Sequence, residues 1–105
     1  MASSAEYLEY VLDLLADVPE VTTRKMMGEY LLYAFGKLFG GVYDNRFLVK
    51  DTPASRAALS MSEIPYDGAS AMTLVDIEDR DFVANLVISM LSELSEPQPR
   101  RRRAR

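Results

Sequence analysis

The residues best suited to chemistry fall into four groups. Tyr30, Tyr33, Phe35, Phe39, Tyr43 and Phe47 interleave with Arg24, Lys25, Lys37, Arg46 and Lys50. On strands, such a pattern builds a stacking platform for single-stranded nucleic acid. The competing reading packs one sheet face under helices and leaves the other as amphipathic cover. The run DIEDRD offers Asp76, Glu78, Asp79 and Asp81 to a divalent cation, yet lacks the glycine and closing glutamate of a calcium loop. Carboxylates there serve equally as cap and dipole partners of a following helix. Glu29, Asp44 and Asp67 are carboxylates of the kind used in general acid–base work, and Ser55 beside Arg56 has no base partner in sequence. The chain closes on QPRRRRAR, where Arg100, Arg101, Arg102, Arg103 and Arg105 suit phosphate contacts with strong salt dependence. That end could equally lie against acidic surface or stay solvated.

Composition removes much other chemistry. The 105 residues contain neither cysteine nor histidine. This excludes disulfides, Cys/His metal sites, Ser–His triads and Cys–His nucleophiles. GKLFGG lacks the GxxxxGK[ST] spacing of a phosphate loop, so its glycines are expected to leave room for a packed neighbour. No cofactor or metal is expected, and neither is catalysis. The N-terminus has no basic leader and no run approaches a membrane span, which predicts a cytoplasmic protein without membrane attachment.

Charge is divided unevenly. Residues 100–105 hold five of the 12 basic groups and no acid, leaving seven against 16 acids, net −9, on residues 1–99. An acidic body with a cationic appendage differs from a basic nucleic-acid-reading domain.

The elements that must position these groups follow from periodicity. Ser3 with Glu6 resembles a capping box, and Leu8, Val11, Leu12 and Leu15 form a helical stripe that Pro19 ends. Strands are predicted at Val21–Met26, Glu29–Ala34, Lys37–Tyr43 and Arg46–Lys50, with turns at Phe35-Gly36 and Asp44-Asn45. Gly28 is read as a bulge or close backbone approach. In the fourth strand Phe47 and Val49 should face one side, and Arg46, Leu48 and Lys50 the other. Thr52-Pro53 opens a short helix. SEIPYDGAS reads as loop, Ala71–Ile77 as strand, and Asp79 as the cap of a last helix bearing Phe82, Leu86, Met90 and Leu94. Both faces of Tyr30–Ala34 are apolar, so the second face should be covered by a helix, the tail or another subunit. One domain over residues 1–95, followed by a disordered Arg-rich tail over 96–105, is the expected organisation.

The stretch Arg24-Lys25-Met26-Met27-Gly28-Glu29-Tyr30, then Leu32-Tyr33, Gly36-Lys37 and Val42-Tyr43-Asp44-Asn45-Arg46-Phe47-Leu48-Val49-Lys50, resembles the N-terminal domain of the TfoX/Sxy family. The likeness runs on through Ile64-Pro65-Tyr66 to the last helix. It implies an α+β fold: a mainly antiparallel sheet, a meander of three or more strands plus a later one, packed in two layers with N- and C-terminal helices in a secretion-chaperone-like arrangement. It also implies a non-enzymatic protein-interaction module. Full-length relatives act as coactivators of competence genes beside a transcription factor and carry a second, helical domain; the present sequence is similar to the short single-domain members. The signature residues Arg24, Lys25, Met26, Gly28, Tyr30, Tyr33, Lys37, Arg46, Phe47 and Lys50 then mark a candidate interaction surface. A protein partner such as a transcription factor, a homodimer, and nonspecific nucleic acid held by the tail are the expected associations.

Overall fold

The computed structural model describes residues 3–94. Helix α1 (Ala5–Leu14) starts at Ser4, whose side chain accepts the Tyr7 N–H at 3.0 Å. The cap is thus one residue later than the Ser3/Glu6 spacing predicts. Ser3 is drawn to the sheet instead, where its hydroxyl donates to Glu29 Oε1 at 2.7 Å.

Four strands follow in a meander: β1 (Val21–Met26), β2 (Glu29–Ala34), β3 (Lys37–Val42) and β4 (Phe47–Val49). Their connections are the two-residue turns Met27–Gly28, Phe35–Gly36 and Asp44–Asn45, all six residues having positive φ. Such turns match the right-handed twist of the flanking strands. Gly28 is therefore neither a bulge nor a close approach within a strand; it closes the first hairpin at φ 84°. The bulge lies elsewhere. Leu32 pairs with Gly40 and Tyr33 with Leu38, so Phe39 is the extra residue. Gly40 is where close approach matters, because a Cβ there would overlap the Leu48 carbonyl oxygen and stand 2.9 Å from Val49 Cα.

Helix α2 (Pro53–Ala58) begins as its sequence predicts, with Thr52 and Ser55 satisfying one another's backbone N–H groups. The expected loop contains a two-residue strand, β5 (Ser62–Glu63), which pairs with β6 (Met72–Leu74). Helix α3 (Arg80–Leu91) is capped by Asp79, which accepts the Phe82 N–H. All strand pairs are antiparallel, in the order β1-β2-β3-β4-β6-β5.

The helices bury one sheet face. Val11 and Leu14 from the first helix, Val83, Val87 and Met90 from the last, and Leu32, Phe39, Val42, Phe47 and Val49 from the sheet share one core. As the strand alternation requires, Phe47 and Val49 point inward and Leu48 outward, yet Leu48 is fully buried. On this face residues 64–66 fold back toward β4, held by Arg46, which donates to the Ile64 and Pro65 carbonyls, and by Tyr66, whose ring lies against Tyr43. Arg100, Arg101, Arg102, Arg103 and Arg105, with the expected boundary near residue 95, lie outside the described residues.

Candidate functional site

The signature residues do not converge. Phe47 is 1% exposed in the core, and Phe39 is fully buried beside it. Tyr30 is half-buried against that core, and Tyr43 is buried on the opposite face under Tyr66, with ring centroids 6.1 Å apart. Burial, then the neighbouring Tyr66, Glu29 and Tyr33, push the Tyr43 phenol above its ordinary pKa. Tyr33, half-buried, and Phe35, half-exposed at its turn, keep some surface near solvent. The stacking platform the aromatic spacing suggests is therefore not assembled.

The cations are similarly dispersed. Lys37 Nζ donates to the Leu91 carbonyl at 2.8 Å, satisfying an end of α3 where positive charge is also favoured by the helix dipole. Arg46 holds the covering loop. Its Nε donates to Tyr43 O, Nη1 to Glu63 Oε1 at 2.9 Å and to Ile64 O, and Nη2 to Pro65 O. Four acceptors on one planar fork suit guanidinium and no other side chain. Arg46→Ala is expected to cost about 2 kcal/mol and to release the loop, since three carbonyls and a carboxylate lose a charge-assisted donor. Arg46→Lys should not restore it. Hydrogen exchange at Ala69, whose N–H bonds Tyr66 O, reads the release directly. Full protection in the lysine variant would refute the clamp.

The acidic candidates also resolve into structure. Glu29 accepts from Ser3 N, Ser3 Oγ and Asp44 N, while Asn45 N donates to Ser3 Oγ and Ser4 N to Asn45 Oδ1. This knot ties the start of the chain to two hairpin turns. Asp67 is exposed in the covering loop, apart from that knot. Asp79 is a helix cap, and among the described residues no group of three or more Asp, Glu, His or Cys could hold a metal ion. Ser55 Oγ lies buried, donating to Lys50 O at 2.8 Å and standing 3.3 Å from Thr73 Oγ1, as a structural hydroxyl does. A cleft of about 680 Å³ opens between sheet and loop, lined by Leu38, Tyr43, Lys50, Asp51, Tyr66 and Ser70 among others. Asp51 pairs with Arg56 at 2.9 Å.

What remains is the edge. The sheet ends at β1, and all of its residues after Val21 are exposed. The register pairs Val21 with Ala34 through Met26 with Glu29, and Phe35 N donates to Glu20 O. Because hydrogen-bonded pairs alternate along an antiparallel ladder, Thr22, Arg24 and Met26 bond inward to β2. Val21, Thr23 and Lys25 then turn their N–H and C=O groups outward, and none of these makes a bond among the described residues. Sequence spacing places Arg24, Lys25 and Met26 in a strand, but the importance of Val21 and Thr23 depends on β1 being last in the sheet.

A family model for the TfoX N-terminal domain matches residues 13–75, well over half the chain and including β1 to β6. This chain belongs to the TfoX N-terminal domain family. A relative from Spirochaeta aurantia, described as an uncharacterised 12.7 kDa protein in the trpE 5′ region, is 34% identical over 105 residues, covering 96% of this chain and 91% of its own. No solved structure matches. In this TfoX N-terminal domain no helix among the described residues is long and apolar enough to cross a membrane.

Proposed function

We propose that this TfoX N-terminal domain is a non-enzymatic, cytoplasmic protein-interaction module, an accessory in transcription regulation that docks a partner protein on the β1 edge. One observation carries this reading: the outward backbone groups of Val21, Thr23 and Lys25 on an exposed terminal strand. Such an edge is a ready template for strand pairing; β1 carries charge at Arg24 and Lys25 but is neither shortened nor covered among the described residues. Here the opposite edge, β5, has two residues, whereas β1 has six. Of the candidate chemical groups, Glu29 is occupied in the knot at the first helix, Ser55 by backbone carbonyls and Asp79 as a helix cap.

A second reading draws on the five arginines at residues 100–105, which suit nonspecific phosphate binding. Affinity capture from the native cell, with the whole chain and with residues 100–105 deleted, tests both after nuclease treatment. Under the module reading the same protein is retained by both forms. Capture that vanishes with nuclease or with the tail would replace it by the nucleic-acid reading, and a DNA affinity and salt slope unchanged by the deletion would end the latter.

A further inference from the structure

Resting on the interaction-module reading, we propose that the β1 edge takes an acidic, extended segment of a partner protein as an added strand. Charge placement argues for this occupant. The seven cations of residues 1–99 face 16 acids. Arg46, Arg56 and Arg80 are paired with Glu63, Asp51 and Asp13, Lys37 holds the end of α3, and Lys50 lines the cleft between sheet and loop. Arg24 and Lys25 are the adjacent pair of cations in this body. Both are exposed, and neither side chain makes a hydrogen bond or ion pair among the described residues. Alternation sends Arg24 to one face of the sheet and Lys25 to the other, so the edge presents positive charge above and below its free backbone groups. An added strand with acids at neighbouring positions would meet both.

The flanks supply apolar contact. Met26 and Met27 stand at one end of the strand, 47% and 96% exposed, and Phe35 at the other, where its N–H bonds Glu20 O. Methionine adapts to varied partners, which suits an anchor beside a backbone-paired segment. Acids near the edge are few: Glu20 precedes the strand, and Glu29 is occupied by Ser3 and Asp44. Charges farther away are screened over about 8 Å at physiological salt. A second copy of this chain fits the edge poorly, because pairing β1 with itself doubles the cations on one ribbon and gains no acid. Lysine on an edge is a known guard against self-pairing.

Two short synthetic peptides of identical length provide the probe, one carrying two neighbouring glutamates flanked by valines, so that one acid lies on each face of the added strand, and the other carrying glutamines in their place. Binding to the whole chain is measured by fluorescence anisotropy and by amide chemical shifts. The glutamate peptide is expected to bind with shifts centred on Val21, Thr23 and Lys25, and the glutamine peptide about tenfold more weakly, as two exposed ion pairs allow. Arg24→Gln with Lys25→Gln should erase that difference. Thr23→Pro should abolish binding of both peptides at unchanged melting temperature, since its N–H points away from β2 and edge positions tolerate proline. Equal binding of the two peptides would overturn the acidic chemistry while leaving the edge site standing. Binding unaffected by Thr23→Pro would overturn the edge site itself. Sedimentation as a dimer that Thr23→Pro dissociates would assign the edge to a second copy, and displacement of the peptide by single-stranded oligothymidylate would assign its cations to nucleic acid.

Discussion

Gly40→Ala is expected to destabilise the fold by about 3 kcal/mol or more, lowering the melting temperature by roughly 12–24 °C. The cause is backbone against backbone. The added Cβ would overlap the Leu48 carbonyl oxygen and crowd Val49 Cα, both in β4 at the middle of the sheet. A flexible side chain could swing aside; a paired strand cannot without losing its ladder. Gly68→Ala provides the contrast. A Cβ there meets nothing within 4 Å, but φ is +87°, so only backbone strain of about 1 kcal/mol is expected. Thermal unfolding followed by circular dichroism separates the two. A Gly40 variant melting no lower than the Gly68 variant would show that β3 and β4 are not pressed together at this point.

Phe47→Ala should cost about 3–5 kcal/mol, a large share of the roughly 5–15 kcal/mol by which such domains are stable. Phe47 is 1% exposed within the core shared by both long helices and the sheet. Truncation removes a ring's worth of buried surface and leaves a cavity that close-packed neighbours fill only partly. Phe47→Leu should cost much less, because most of the volume is kept. Phe47 belongs to the family signature, so a loss of partner capture in the alanine variant is easily mistaken for a lost contact. Capture per folded molecule, measured below the melting transition, should be unchanged. If capture falls while the folded fraction holds, Phe47 contributes to recognition after all.

Why some features are legible in sequence and others are not follows from how local each cause is. Phe35–Gly36 and Asp44–Asn45 read as turns because glycine, asparagine and aspartate tolerate positive φ. Met27–Gly28 hides because Met27 is no turn former and the flanking residues continue a strand pattern; its φ of 53° is imposed by the pairing of Met26 with Glu29. Thr52-Pro53 and Asp79 are visible as caps, since each cap is completed within three residues. Ser3 and Ser4 are indistinguishable as caps by type. The choice between them is made by Glu29, 26 residues away from Ser3. Strand β5 has only two residues, too few to show any period, and exists because β6 lies beside it.

The candidate site divides along the same line. Interleaved aromatic and basic residues from Tyr30 to Lys50 are plain in the sequence, but three of them serve inside the fold: Phe47 in the core, Arg46 on the loop and Lys37 at the end of α3. The sequence by itself determined the α+β class, the meander, the inward Phe47 and Val49 against outward Leu48, and an acidic body. These follow from periodicity, turn chemistry and charge, all carried by near neighbours. Only the tertiary structure decided that residues 64–66 fold back toward the outward face of β4 and that β1 ends the sheet with Val21, Thr23 and Lys25 facing out. Alternation separates the two faces of a strand, but which distant segment covers a face, or leaves an edge bare, is set by contacts between residues far apart in the chain.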